Sequence, residues 1–178
     1  MRVRIAFLAP LIVIAAVAIA LGATAAGAAA STTTAVYSLN GSATMFGGSP
    51  IGCIDSCFPP SSTATGSASC SVCLPTGPVF GSFSLDLPTI TTFPPSPCRI
   101  KTISGTLSIS WDSGLVSTTA VNGRFIDDKP ILTLEGSFGA SDPVFPGDPL
   151  SIVLTNFPPS PCTTATNTVT GALTIATG

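Results

Sequence analysis

Eight carboxylates, six cysteines and no histidine define the chemistry open to this 178-residue chain. Without an imidazole, neither a Ser-His-Asp nor a Cys-His arrangement can be assembled, and the commonest general base at neutral pH is missing. Acid–base work would fall to seven aspartates and Glu135. Glycoside hydrolysis needs two carboxyls about 5–10 Å apart across a cleft. Asp127-Asp128 precede Lys129-Pro130 in what reads as a turn, where Asp is favoured for its local hydrogen bonds. Adjacent strand residues face opposite sides of a sheet, so even within a strand this pair would not converge. Asp112 with Asp127, and Asp86 with Glu135, are the other combinations. Solvated turn and edge charges account for all of them more simply, and no residue is assigned a catalytic role.

The cysteines are Cys53, Cys57, Cys70, Cys73, Cys98 and Cys162. In an exported chain of this size, six read as three disulfides, for which sequence alone allows 15 connectivities. A nested set, Cys53–Cys73 around Cys57–Cys70, suits two antiparallel arms of a hairpin. Cys98–Cys162 would then join two copies of a repeated unit. The alternative is metal: C-x3-C, a twelve-residue gap and C-x2-C roughly mimic a zinc site with four thiolates. Export to an oxidising compartment favours disulfides, and no metal or cofactor is expected.

The repeated unit is T-T-F-P-P-S-P-C at 91–98 and T-N-F-P-P-S-P-C at 155–162. Each copy is followed by an alternating run, Ile103-Gly105-Leu107-Ile109-Trp111 or Val169-Gly171-Leu173-Ile175. Period-two alternation predicts a strand with one wet and one buried face. As structure, the prolines fix φ and the phenylalanines cover the end of a β fold. As function, Phe93, Pro94, Pro95 and Pro97 with Phe157, Pro158, Pro159 and Pro161 form a rim recognition surface, pre-ordered and therefore low in ordering cost. Trp111 is in phase with the buried positions, so it reads as a core plug, with a sugar-stacking platform as the functional alternative.

The elements that would hold these residues follow from the rest of the chain. Met1-Arg2-Val3-Arg4, an uncharged apolar run over 5–21 and Ala28-Ala29-Ala30 before Ser31 read as a signal peptide over 1–30. An uncleaved anchor is the rival reading, since 17 residues touch the lower limit for a bilayer span. Removal of 1–30 leaves a single secreted domain, 31–178, with four basic residues (Arg99, Lys101, Arg124 and Lys129) against eight acidic. Four scattered cations cannot neutralise a phosphate backbone, so nucleic acid is excluded as a partner. Charged residues are 8% of the chain against about 25% in ordinary soluble domains. Ser and Thr supply the wet face instead, and nine phenylalanines beyond residue 30 supply a core.

In chain order, 35–39 reads as a short strand broken by Asn40-Gly41, and 47–79 as a long irregular segment rich in Gly, Pro, Ser and Cys. A strand meander over 80–178 follows: 80–87, the run ending at Trp111, an Asp112-Ser113-Gly114 hairpin, 115–126, 131–138, 150–154 and the last run. Asn122-Gly123 marks a bulge or a turn. Helical periodicity is absent outside the leader. The fold class is all-β: an antiparallel meander of six to eight strands closing as a barrel or a sandwich, since strands apolar on one face must close or stack. In a closed meander both proline-rich turns fall at one end, and the first and last strands become neighbours.

The segment Gly105-Thr106-Leu107-Ser108-Ile109-Ser110-Trp111-Asp112-Ser113-Gly114 with Ser117-Thr118-Thr119, and later Phe145-Pro146-Gly147-Asp148 and Pro161-Cys162, resembles small secreted β-rich proteins of actinobacteria over roughly 100–175. The resemblance implies export and an all-β fold, and adds no catalytic residue. Three functions remain: a non-catalytic extracellular structural or binding protein; a secreted hydrolase using paired carboxylates; and an inhibitor, which would need a protruding loop at 93–97 or 157–161. Cell-wall or extracellular polysaccharides or proteins are the partners expected, with no membrane contact after cleavage.

Overall fold

The computed structural model describes residues 33–46, 61–92, 100–126, 130–158 and 164–178. Eight antiparallel strands follow in chain order: β1 (Thr33–Phe46), β2 (Ser61–Val72), β3 (Phe80–Thr92), β4 (Ile100–Trp111), β5 (Val116–Ile126), β6 (Ile131–Ser137), β7 (Pro149–Thr155) and β8 (Ala165–Thr177). Each pairs with its neighbour in sequence, and β1 pairs with β8 over thirteen residues, from Thr33↔Thr177 to Met45↔Ala165. The sheet is therefore a closed barrel, and the sandwich alternative falls away.

Alternation decides what faces in. Phe83, Leu85 and Leu87 on β3, Ile103, Leu107 and Ile109 on β4, and Leu150, Ile152 and Leu154 on β7 join one buried cluster with inward residues of the other five strands. An eight-stranded barrel is just wide enough for side chains to fill. Each buried Leu or Ile contributes roughly 1.5–3 kcal/mol. Outside, hydroxyls pair across strands: Ser38 with Ser71, Thr44 with Thr166, Ser108 with Thr118 and Thr155 with Thr170. Such pairs stabilise a sheet face without charge.

The meander gives the barrel two distinct ends. At one, the proline end, the chain crosses between β1 and β2, β3 and β4, β5 and β6, and β7 and β8. The strands flanking both proline-rich segments therefore terminate together. The other end, the mouth, carries the connections 73–79, 112–115 and 138–148, together with the start of β1 and the end of β8.

Two sequence expectations need correction. Residues 61–72 are not irregular: they form β2, in register with β1 from Phe46↔Ser61 to Val36↔Val72. Nor does Asn40-Gly41 end the first strand, because β1 runs through to Phe46. Gly41 lies opposite Gly66 on β2, and a Cβ at either would overlap the other strand's backbone, at Thr65 or Asn40 respectively. The glycines permit a sharp coil of both strands, which is how a barrel turns its corners. Gly123 has the same role on β5, which continues past it to Ile126 with neither turn nor bulge, and a Cβ there would overlap the Thr133 carbonyl of β6. Gly123→Ala is expected to lower stability by about 2–3 kcal/mol through overpacking. Gly139→Ala, in an open loop position, should shift the urea midpoint negligibly.

Candidate binding site at the mouth of the barrel

Four aromatic rings close the mouth from within. Tyr37 of β1 and Trp111 of β4 pack with centroids 5.0 Å apart, and Phe145 from the β6–β7 connection meets Trp111 at 5.6 Å and Phe138 at 5.7 Å. Gly81, opposite Trp111 on β3, makes room for the indole: a Cβ there would lie 2.9 Å from its Cε3. Trp111 is thus a core plug, 4% exposed, and not a sugar platform.

A buried polar chain holds this arrangement. The Trp111 indole N–H donates to Ser117 Oγ at 2.9 Å, and the Ser117 hydroxyl donates to Asp142 Oδ1 at 2.9 Å. The same oxygen accepts the backbone N–H groups of Val144 and Phe145, each at 2.9 Å. Asp142 therefore caps its own turn and pins the loop bearing Phe145 onto the barrel. Among the described residues every buried side-chain polar atom has a partner. Neither Ser117 nor Asp142 stood out in the sequence. The available signal was an Asp-Pro pair followed by an aromatic at 142–145, beside an inward serine on β5.

Over these rings lies an open cleft of about 360 Å³ lined by the 73–79, 112–115 and 138–148 connections. Its lining is mixed: Leu74, Pro78, Val79, Leu115, Val144 and Phe145 supply apolar surface, and Asp112, Ser113, Thr76 and backbone groups supply polar surface in similar measure. Cys70 is bonded to Cys73, which staples the end of β2 to the start of the 73–79 connection, and the Cys70 N–H donates to Val79 O at 2.8 Å. The nested pairing of Cys70 with Cys57 and Cys73 with Cys53 is accordingly replaced. β2 pairs with β1 on one side and with β3 on the other. With their sulfurs joined, Cys70 and Cys73 are not thiolate ligands for zinc. Cys53, Cys57, Cys98 and Cys162 lie outside the described residues.

At the proline end Phe157 takes the end-covering role of the two expected from sequence, and not the rim-recognition role. Phe157 is fully buried, its ring 5.7 Å from Phe125, and its N–H donates to Pro130 O. Pro158 is buried beside it. Both belong to the end wall of the core and not to an exposed recognition surface, because the apolar ring completes the interior. Phe93, Pro94, Pro95, Pro97, Pro159 and Pro161 lie outside the described residues. The carboxylates do not pair either. Asp86 and Glu135 are exposed on the outer wall of β3 and β6 with two strands between, about 14 Å around a convex surface. Asp112 stands at the mouth, where its Oδ2 accepts the Phe80 N–H at 3.2 Å. Asp127 lies outside the described residues.

No family model, curated protein or solved structure matches the chain.

Tyr37 donates its hydroxyl to Pro78 O at 2.9 Å, and its pKa is pushed up from 10.0 to about 12, first by burial and then by the charge of Asp112. The folded protein thus holds this proton more tightly than the unfolded chain. The stability it contributes is complete below pH 10 and is lost as pH rises toward 12. Because Tyr37 is the only tyrosine, tyrosinate absorbance should report its midpoint alone, near 12 in the folded state and near 10 in denaturant. Ser117→Ala strands the Trp111 N–H and should cost about 1–3 kcal/mol in denaturant unfolding. Tryptophan emission at the mouth should change with it.

Proposed function

We propose that this is a non-catalytic protein of the extracellular space that binds a partner through the mouth of its barrel. The observation that carries this reading is a concave cleft walled by three connections, with apolar and polar lining and with Phe145, pinned by Asp142, in its floor. Binding pockets are concave and combine apolar surface with placed polar groups that set orientation. Support for the non-catalytic part comes from the separation of Asp86 and Glu135 on the outer wall, from the commitment of Asp142 to its own loop, and from an interior occupied by side chains. The signal-like first 30 residues and a disulfide at the cleft's edge favour an oxidising, extracellular setting. The proline end, the first choice from sequence, loses ground because Phe157 and Pro158 are buried.

Backbone amide shifts of the exported protein, recorded against soluble cell-wall polysaccharides and against peptides, test this reading. Binding should perturb Thr76, Gly77, Ser113 and Val144 together and leave the outer wall unchanged. Turnover of any polysaccharide that is abolished by Asp112→Asn or Glu135→Gln would replace it with the hydrolase reading.

A further inference from the structure

Charge is segregated along the barrel. The three connections of the mouth contain Asp112, Asp142 and Asp148 and neither lysine nor arginine. The basic residues within strands, Lys101 and Arg124, lie at the other end: Lys101 pairs with Thr92 and Phe125, and Arg124 with Thr102 and Thr133. Among the described residues of the mouth, no lysine or arginine offsets these carboxylates. Asp142 is committed to pinning its own loop, whereas the Asp112 side chain stands exposed at the edge of the cleft, with its Oδ2 accepting the Phe80 N–H. Its field reaches Tyr37 beneath.

Apolar surface is concentrated at the same end. Val72, Val79, Phe80, Leu115 and Val116, at 53%, 60%, 49%, 44% and 52% exposure, are five of the eight exposed large hydrophobics among the described residues. Val79 and Leu115 line the cleft itself, and Val72, Phe80 and Val116 stand exposed at the mouth ends of β2, β3 and β5. Isolated exposed hydrophobics need no explanation, but a contiguous group around a cleft marks an interaction site.

Building on the reading of the mouth as the binding site, we propose that it receives a polypeptide segment in which an aliphatic or aromatic side chain is flanked by lysine or arginine. The apolar side chain fills the cleft above Val144 and Phe145, and the cation lies beside Asp112. A uniformly hydroxylated polysaccharide would leave the apolar rim unmatched. Carboxylates at the rim repel nucleic acid and anionic lipid. A small amine would fill the cleft but leave Phe80 and Val116 uncovered.

Trp111, the only tryptophan, lies against Phe145 and so provides the readout. Short synthetic peptides with a central Leu-Phe flanked on both sides by Lys, by Ser or by Glu would be titrated into the exported protein. The lysine peptide is expected to bind tightest and the glutamate peptide weakest, with about two- to five-fold between steps. High salt should compress the series. Asp112→Asn, which keeps an oxygen for the Phe80 N–H, should bring the lysine peptide down to the serine one, and Leu115→Ser should weaken all three. Equal affinity across the series at low salt would overturn the cationic requirement while leaving the mouth as the site. No tryptophan response, and no amide shifts at the mouth with any peptide, would overturn both. A charge preference unchanged in Asp112→Asn at an unaltered thermal midpoint would overturn the assignment to this carboxylate.

Discussion

The seam between β1 and β8 is the constraint on which the rest of this molecule depends. Once that ladder forms, no strand has a free long edge, and every inward side chain must share one narrow interior. Space is then allotted by size. Where β1 and β2 present Ala35, Ala43, Ala64 and Ala68, larger groups from Phe83, Leu107 and Leu173 complete the core. Hydroxyl pairs finish the outside. A barrel standing in lipid shows the reverse order, apolar outward and polar inward.

Closure also explains why the mouth is built as it is. An eight-stranded barrel leaves its ends uncovered, and chain that crosses an end must seal it. At the mouth that work falls to the β6–β7 connection, whose Phe145 is both a stopper for the interior and part of the floor of the cleft. The chain of bonds from Trp111 through Ser117 to Asp142 fixes this stopper to strands of the wall. At the proline end Phe157 does the equivalent against Phe125 with a single backbone bond to Pro130.

What the sequence revealed, and what it concealed, follows from side-chain size. Most strands from β3 onward are legible because most of their inward positions carry Leu, Ile, Val, Phe or Trp, with Ser117 and Thr119 of β5 as exceptions. β2 was illegible because its inward positions are Ser62, Ala64, Gly66 and Ala68, which alternate in burial but hardly in hydrophobicity. β1 was read short because a glycine that turns a barrel corner looks the same, in one dimension, as a glycine that breaks a strand. The Cys70–Cys73 bond is concealed by the symmetric spacing of the first four cysteines, which suits a nested pairing as readily as the short reach of a C-x2-C pair. Asp142 was hidden for another reason: its partner is an inward serine 25 residues away, and only the folded mouth brings the two together.

The register Thr33↔Thr177 gives the seam a directional weakness. Both ends of the described barrel leave from the mouth, one strand beside the other. Tension applied through them would load the first rung of the β1–β8 ladder alone, then the next, as a zipper opens. The same thirteen pairs pulled from opposite ends would have to shear together. The closed shell is therefore soft to force along this single line.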